Sequence, residues 1–207
     1  MLATGRANTS GEGKEDRLFG FKAHFHGPQS DSVELYFFDG CYVGINPVEG
    51  GLTNVCGLGP AGMLKQYRFD PVALAQRLPA LAERLKPLTP AWDWIRTGPL
   101  CFGQPRWPDL PPGVFPSGDA LSFVDPFTGS GMLAAIGSGT LAGTAAARQW
   151  TSALYREKAM AALSRAYRVS SLLRASALRE GPWTAILKWM EISWLYRLTR
   201  PQFQVEK

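Results

Sequence analysis

The chain has 207 residues, 45% hydrophobic and 19% charged. That allows one sizeable core or two small ones and excludes collagen-like and intrinsically disordered classes. The net charge of +5 is concentrated, because ten of the 22 Lys/Arg but only three of the 17 acids lie between Arg148 and Arg200.

This basic stretch reads as the solvated face of surface helices, with an acidic partner or an anionic membrane surface as the alternative. Nucleic-acid binding has no fold signature to support the charge. Cys41, Cys56 and Cys101 have neither disulfide-framework nor zinc-site spacing. With no signal-peptide pattern, a reducing cytoplasm is expected. The least charged run, Gly131 to Ala147, is marginal in length and too weakly hydrophobic for a transmembrane helix.

Residues 1–17 are polar and glycine-containing, an end or a linker. Leu18–His26 alternates as a strand does, with Phe19, Phe21, Ala23 and Phe25 on one face and Lys22, His24 and His26 on the other. Ser32–Phe38 and Cys41–Asn46 flank Asp39-Gly40, a hairpin signal. Gly50-Gly51 leads into Leu52–Leu58, and the four runs together predict an antiparallel meander.

Asp70-Pro71 opens a helical stripe of Val72, Leu74, Ala75, Leu78, Leu81, Ala82 and Leu85, with Asp70 as N-cap and a kink at Pro79. Residues 87–113 are punctuated by proline, with a strand near Trp92–Phe102. A short strand, Gly113–Ser117, follows. From Gly131 onward the pattern is helical: Met132 to about Gln149, about Thr151 to Glu180, and Trp183–Leu198.

The informative stretch is Gly118-Asp119-Ala120-Leu121-Ser122-Phe123-Val124-Asp125-Pro126-Phe127-Thr128-Gly129-Ser130-Gly131-Met132. It reads as a strand end, an acidic turn, a Pro/Gly loop and the N-terminus of a small-residue helix. An aspartate at a strand end accepts hydrogen bonds from sugar-alcohol hydroxyls. A glycine loop opening a helix offers free N–H groups and the positive end of the helix dipole to a phosphate or an anionic ring. Ala134, Ala135, Gly137, Gly139, Ala142 and Gly143 keep the following helix slim.

This stretch resembles the second flavin-binding motif of the FAD-dependent oxidoreductases typified by geranylgeranyl reductases, flavin halogenases and p-hydroxybenzoate hydroxylase. The family pattern is Gly-Asp-Ala, a spacer, and Pro-x-Thr-Gly-x-Gly opening a helix. Gly118, Asp119, Ala120, Pro126, Thr128, Gly129 and Gly131 match it. The resemblance implies that Asp119 holds the ribityl chain and that Pro126–Met132, including Ser130, lies beside the isoalloxazine and pyrophosphate. Ala3-Thr4-Gly5-Arg6 resembles the segment ending the family's FAD-binding half. Gly20–Phe25 and the hairpin after it resemble its substrate-domain sheet.

A complete member also has an N-terminal GxGxxG unit for the ADP half of FAD, with an acidic residue about 20 positions on. The one formal match, Gly57-Leu58-Gly59-Pro60-Ala61-Gly62, has a proline where N–H groups must face phosphate, and reads as a loop leaving the sheet. An N-terminally truncated member, or one half of a split protein, is therefore expected.

His24-x-His26 has a metal-ligand spacing, with Asp31 and Glu49 as the only third ligands in view. No metal is expected, and polar residues facing solvent or a substrate cavity are the preferred reading. Only two histidines exist, so no Ser/His/Asp arrangement can be drawn. Trp183, Trp189, Trp194 and Tyr196 with Lys188, Arg197 and Arg200 fit either a packing helix or a peripheral membrane contact.

The expected fold is α/β: a partial, Rossmann-like FAD-binding domain, an antiparallel substrate-domain sheet and a helical C-terminal extension. The expected division is 1–17, the end of the FAD-binding half; 18–112, the sheet with one helix; 113–149, the second FAD motif; and 150–207, the extension. The resemblance implies FAD chemistry on an apolar or aromatic small molecule, as reductase, monooxygenase or halogenase, with NAD(P)H as donor. Flavin contacts are expected from Gly118, Asp119, Pro126, Thr128, Gly129, Ser130, Gly131 and Met132. No catalytic acid or base is assigned, because the cofactor carries the redox chemistry. The alternatives are a non-enzymatic fragment, a subunit needing a separate ADP-binding chain, or a membrane-surface protein acting through the Trp-rich helix.

Overall fold

Asp39 and Gly40 both adopt positive φ, 47° and 76°, as a type I′ turn requires. They close the hairpin between β2 (Glu34–Phe38) and β3 (Cys41–Val48). The structure, a computed structural model, describes residues 1–5, 18–100, 111–125, 128–177 and 197–203. The chain divides into two units, Gly11–Cys101 and Met1–Ser10 with Phe102–Lys207.

In the first of these, β1 (Leu18–His26) pairs antiparallel with β4 (Leu52–Pro60), from Leu18 opposite Pro60 to Phe25 opposite Thr53. The sheet order is β2-β3-β4-β1-β5, with β5 (Thr89–Pro90) and β6 (Ile95–Leu100) both on the free edge of β1. Only β2, β3 and β4 form a meander. The predicted four-strand meander is thus corrected: β1 skips its sequence neighbour and closes on β4, whose alternation matches its own.

Alternation sets the two faces. Phe21, Ala23 and Phe25 are buried, Lys22 and His26 exposed and His24 half-buried. The apolar face carries Cys41, Val43, Ile45 and Val55 and packs against Leu64, Leu74, Ala75 and Leu81. These come from three short helices, α1 (Ala61–Gln66), α2 (Pro71–Ala75) and α3 (Pro79–Leu85). Asp70 caps α2, its carboxylate accepting from the N–H groups of Val72 and Ala73. Pro79 breaks the stripe into two helices because it cannot donate in the helix interior. Val72 departs from the expected stripe and is exposed.

Gly57–Gly62 is not a loop. Residues 57–60 complete β4 and Ala61 starts α1. The glycines serve packing: a Cβ at Gly57 would lie 2.4 Å from the Phe21 ring, and one at Gly59 would lie 2.8 Å from Cys41 Sγ. Burial, and then the Asp39 charge, push the Cys41 thiol up to about 12.

In the other unit, α4 (Gly131–Ala147) packs on α5 (Ser152–Ala177). α4 buries Ala134, Ser138, Leu141, Ala142 and Ala145, a stripe at helical spacing. Phe115, Leu121, Val124, Tyr155, Leu163 and Tyr167 complete this core. Thr151 accepts from the N–H of Leu154 and so caps the start of α5. The expected strand Gly113–Ser117 is reduced to one parallel bridge between Leu2 and Pro116. Leu2 N–H donates to Phe115 O and Ser117 N–H to Leu2 O, both at 2.8 Å. The helix expected over Trp183–Leu198 lies outside the described residues, apart from a helical turn at 197–199. No helix among the described residues is long and apolar enough to cross a membrane.

Candidate functional site

The Gly-Asp-Ala segment is a 3-10 turn, Gly118–Ala120, which starts at the residue after Ser117. Gly118 has φ +59°, and a Cβ there would lie 3.6 Å from that of Ala135. Its N–H donates to Ser138 Oγ at 2.9 Å, and Ser138 donates in turn to Ala134 O at 2.6 Å. The turn is thereby pinned to the second turn of α4. Asp119 is exposed at its tip, its carboxylate open to a ligand.

Pro126 lies outside the described residues. Beyond it, Thr128, Gly129 and Ser130 lead into α4 at Gly131. Gly129 has φ +61°, and at both Gly129 and Gly131 the space a Cβ would occupy is open to 4 Å. The first intrahelical bond runs from Ala134 N–H to Ser130 O at 2.9 Å. The N–H groups of Gly131, Met132 and Leu133 are therefore not used inside the helix. Ser130 sits at the N-cap position without a capping side-chain bond. An exposed carboxylate, two bare glycines and a positive helix end suit a polyhydroxyl chain joined to a phosphate or an electron-rich ring edge.

What holds this loop was not visible in the sequence. Ser130 is fully buried and donates to Thr199 O at 2.9 Å. Thr128 Oγ1 lies 2.9 Å from Ser130 Oγ and 3.2 Å from Ser170 Oγ. The Arg200 guanidinium donates to Gly129 O at 2.9 Å. Gln202 N–H reaches Ala162 O, and Phe203 fills the space above Gly137, where a Cβ would come within 2.1 Å of its ring. Residues 199–203 thus strap the motif loop from a point about 70 residues away. Tyr155 donates to Pro116 O, tying α5 to the segment that leads into the Gly-Asp turn. Burial raises the Tyr167 phenol, with the Asp119 charge adding to it.

No family model and no curated protein matches the sequence. Solved structures do. The myxobacterial chondrochloren halogenase CndH, described as a variant of FAD-dependent halogenases, aligns with a TM-score of 0.61 at 19% identity, over 82% of this chain and 44% of that one. A geranylgeranyl bacteriochlorophyll reductase-like protein from Thermoplasma acidophilum gives 0.59 at 14% identity, over 96% and 52%. HpxO from Klebsiella pneumoniae, solved with FAD and uric acid, gives 0.55 at 14%, over 89% and 50%.

The fold is that of the FAD-dependent oxidoreductases. This chain spans about half the length of each such structure. Within that FAD-dependent oxidoreductase fold, the described chain has both the strap-held loop at α4 and the six-stranded sheet.

The opposite face of that sheet, away from the helices, is polar in its middle. His24, Asn54 and Asn46 occupy one row across β1, β4 and β3. Lys22, Cys56 and Gly44 form the next row. Among the described residues, no group of three His, Cys, Asp or Glu side chains is placed to hold a metal.

Proposed function

We propose that this chain carries the second flavin-contacting motif and the substrate-domain sheet of an FAD-dependent oxidoreductase acting on an apolar or aromatic small molecule. The observation that carries the reading is the exposed Asp119 carboxylate on a turn pinned to α4, the helix that Gly131 opens, together with the open space at Gly129 and Gly131. Bound FAD would supply the redox chemistry, with a reduced nicotinamide as electron donor.

The chain's own residues bind and orient. Asp119 accepts hydrogen bonds from the ribityl hydroxyls. Gly118 gives the turn its left-handed conformation, and Ser138 fixes it. Thr128 and Gly129 shape the loop, while Ser130 anchors it from below. The N–H groups of Gly131 and Met132 face the electron-rich part of the ring or the pyrophosphate. Reduction, hydroxylation and halogenation share this scaffold, so the fold does not choose among them. The cytoplasm suits the thiols of Cys41 and Cys56.

A second reading has its own observation. Met132, Leu133 and Ile136 form an exposed apolar patch at the start of α4, with Met132 82% exposed, whereas large apolar side chains on a free surface are usually scattered. A separate chain carrying the ADP-binding half would cover this patch and complete the cofactor site. A peripheral membrane contact through residues 183–196 is the third reading, tested by salt-sensitive flotation with anionic vesicles.

The experiment is an FAD titration of the purified chain, wild type against Asp119→Ala. Losing a charge-assisted hydrogen bond, worth about 1.5–3 kcal/mol, should weaken binding roughly 10- to 100-fold. Equal affinity of the two folded proteins would sink Asp119 as the ribityl contact. No binding by either would favour the reading that needs a second chain.

A further inference from the structure

The helix-packed face of the sheet holds an unfilled space beside its β6 edge. A cavity of about 280 Å³ lies there, walled by Phe19, Phe21, Leu64 and Phe69, with Arg96 and Gly98 of β6 along its remaining side. All of these residues belong to the sheet unit. Phe21 and Leu64 are buried in its core, whereas Phe19 and Phe69 are half-buried. An apolar cavity of about 150 Å³ takes up benzene, so this space has room for an aromatic ring or a short alkyl chain.

The backbone on both sides shapes the space. Leu18 faces Leu100 but Gly20 faces Thr97, so β6 carries one extra residue opposite Phe19, a bulge on an edge strand. A Cβ at Gly98 would come within 2.1 Å of the Phe19 ring, so the ring lies directly against the β6 backbone. Across the cavity, the chain leaves α1 through Arg68 and Phe69, at φ 53° and 56°. Phe69 N–H returns to Leu64 O at 2.7 Å. Left-handed backbone at a bulky residue is strained, and here it goes with a Phe69 ring set edge-on to Phe19, 5.8 Å between centroids. Arg96 is the register partner of Phe21 and shares its face of the sheet. Its Nε donates to Phe69 O at 2.9 Å, which fixes the guanidinium beside the aromatic wall. Among the described residues, no hydrogen bond or ion pair uses its two terminal nitrogens.

We infer that this cavity binds a small carboxylate with an apolar body. The body fills the space against Phe19, Phe21, Leu64 and Phe69. The carboxylate accepts from the terminal nitrogens of Arg96, whose planar fork matches two carboxylate oxygens. Arg96 is exposed, so the bound anion keeps water on its outer side and neither charge is buried unpaired. The site needs neither the loop at α4 nor bound flavin. It goes beyond the proposed function, and its failure would leave the flavin reading untouched.

The test is backbone-amide NMR of the isotope-labelled full chain without added FAD. Octanoate and 2-naphthoate supply the alkyl and aryl bodies, their amides remove the charge, and acetate removes the body. Saturable shifts at the amides of Gly20, Thr97 and Gly98 are expected with at least one of the two acids, and the tighter acid identifies the body. Its uncharged amide should bind at least fivefold more weakly, and acetate should give no saturable shift. Arg96→Met should lower the affinity of the acid to that of its amide, while Arg96→Lys, which keeps a cation, should lie between. Lys22→Met removes the same charge from the opposite face of the sheet and should leave binding unchanged. An otherwise wild-type amide spectrum shows that each variant is folded. No response of these amides to either acid, equal affinity of acid and amide, or an equal loss in Lys22→Met would overturn the site. Acetate binding as tightly as the larger acids would reduce it to a surface ion contact and overturn it as well.

Discussion

Ser130 Oγ donates to the carbonyl of Thr199 at 2.9 Å across 69 positions of sequence. This bond joins the first residue before α4 to the segment that straps it. Ser130 is fully buried, and its hydroxyl also lies 2.9 Å from Thr128 Oγ1. Ser130→Ala removes the donor to Thr199 and one partner of Thr128, and buried polar groups left without partners cost about 1–3 kcal/mol. We expect a loss of about 1–2 kcal/mol in chemical denaturation and faster proteolytic cutting at 197–203 in the native protein. Unchanged cutting would mean that Arg200, Gln202 and Phe203 hold residues 199–203 without the Ser130–Thr199 bond.

Gly131 separates folding from ligand binding. A Cβ at this position meets nothing within 4 Å, and its backbone is helical rather than left-handed. Gly131→Ala should therefore leave stability unchanged or raise it by up to about 0.5–1 kcal/mol. If the loop receives a phosphate or ring edge, the added methyl stands in its path. FAD affinity should then fall about tenfold, or ~1.4 kcal/mol. Thermal melting and an FAD titration on the same preparation check both halves. A variant that binds FAD as tightly as wild type would remove Gly131 from the site.

How much of this was legible in the sequence depends on the range of the interaction. Asp39-Gly40, Asp70-Pro71 and Pro79 declare local geometry, and each does what its chemistry requires. The alternation of β1 fixed which residues enter the core, but not which strand lies beside it. That choice is between partners of similar pattern, and β4 is the one paired. The Gly-Asp-Ala and Thr-Gly-x-Gly positions were readable because they are contiguous. Their supports, Ser138, Ser170, Thr199 and Arg200, are ordinary polar residues scattered through helices and a terminal segment, and only folding brings them together. Gly57 and Gly59 misled in the other direction. They match a phosphate-loop spacing, yet Phe21 and Cys41 occupy the space beside them.

Glu34 makes the stability of the sheet unit pH-dependent. Burial raises its carboxyl, but hydrogen bonds from Tyr36, Arg84 and Ser30, with the Arg84 charge, outweigh burial and hold it below the ordinary carboxylate value. Both partners of the ion pair are largely covered, with 18% of the Arg84 side chain and 21% of the Glu34 side chain exposed. A depressed folded-state value contributes stability above the unfolded value of about 4.3, and the contribution is lost as pH falls through the folded value. Arg84→Met removes the charge and one donor while keeping the aliphatic stem. It should cost about 1–3 kcal/mol at pH 7 and flatten the acid limb of stability below about pH 4.3. Urea denaturation from pH 3 to 7 checks this. An acid limb of unchanged slope would show that other carboxylates set it.

Gln149 ends α4 in a conformation that favours glycine. Its φ is +51°. Trp150 N–H returns to Ala145 O at 2.9 Å and Gln149 N–H to Ala146 O at 3.3 Å. This is the pair of bonds that closes a helix through a left-handed residue. The Gln149 side chain is exposed, so little packing is lost when it is removed. A β-carbon in the left-handed region costs roughly 1–2 kcal/mol. Part of that gain is returned, because glycine adds entropy to the unfolded chain, about 0.4–1 kcal/mol. Gln149→Gly should therefore stabilise the helical unit by about 0.5 kcal/mol, a rise of ~1–2 °C in Tm for a chain of this size. Gln149→Val, β-branched and worse suited to positive φ, should move Tm down. The three proteins compared in one calorimetric series decide the matter. A glycine variant that melts below wild type would mean that the glutamine side chain contributes more to the helix end than its backbone strain costs.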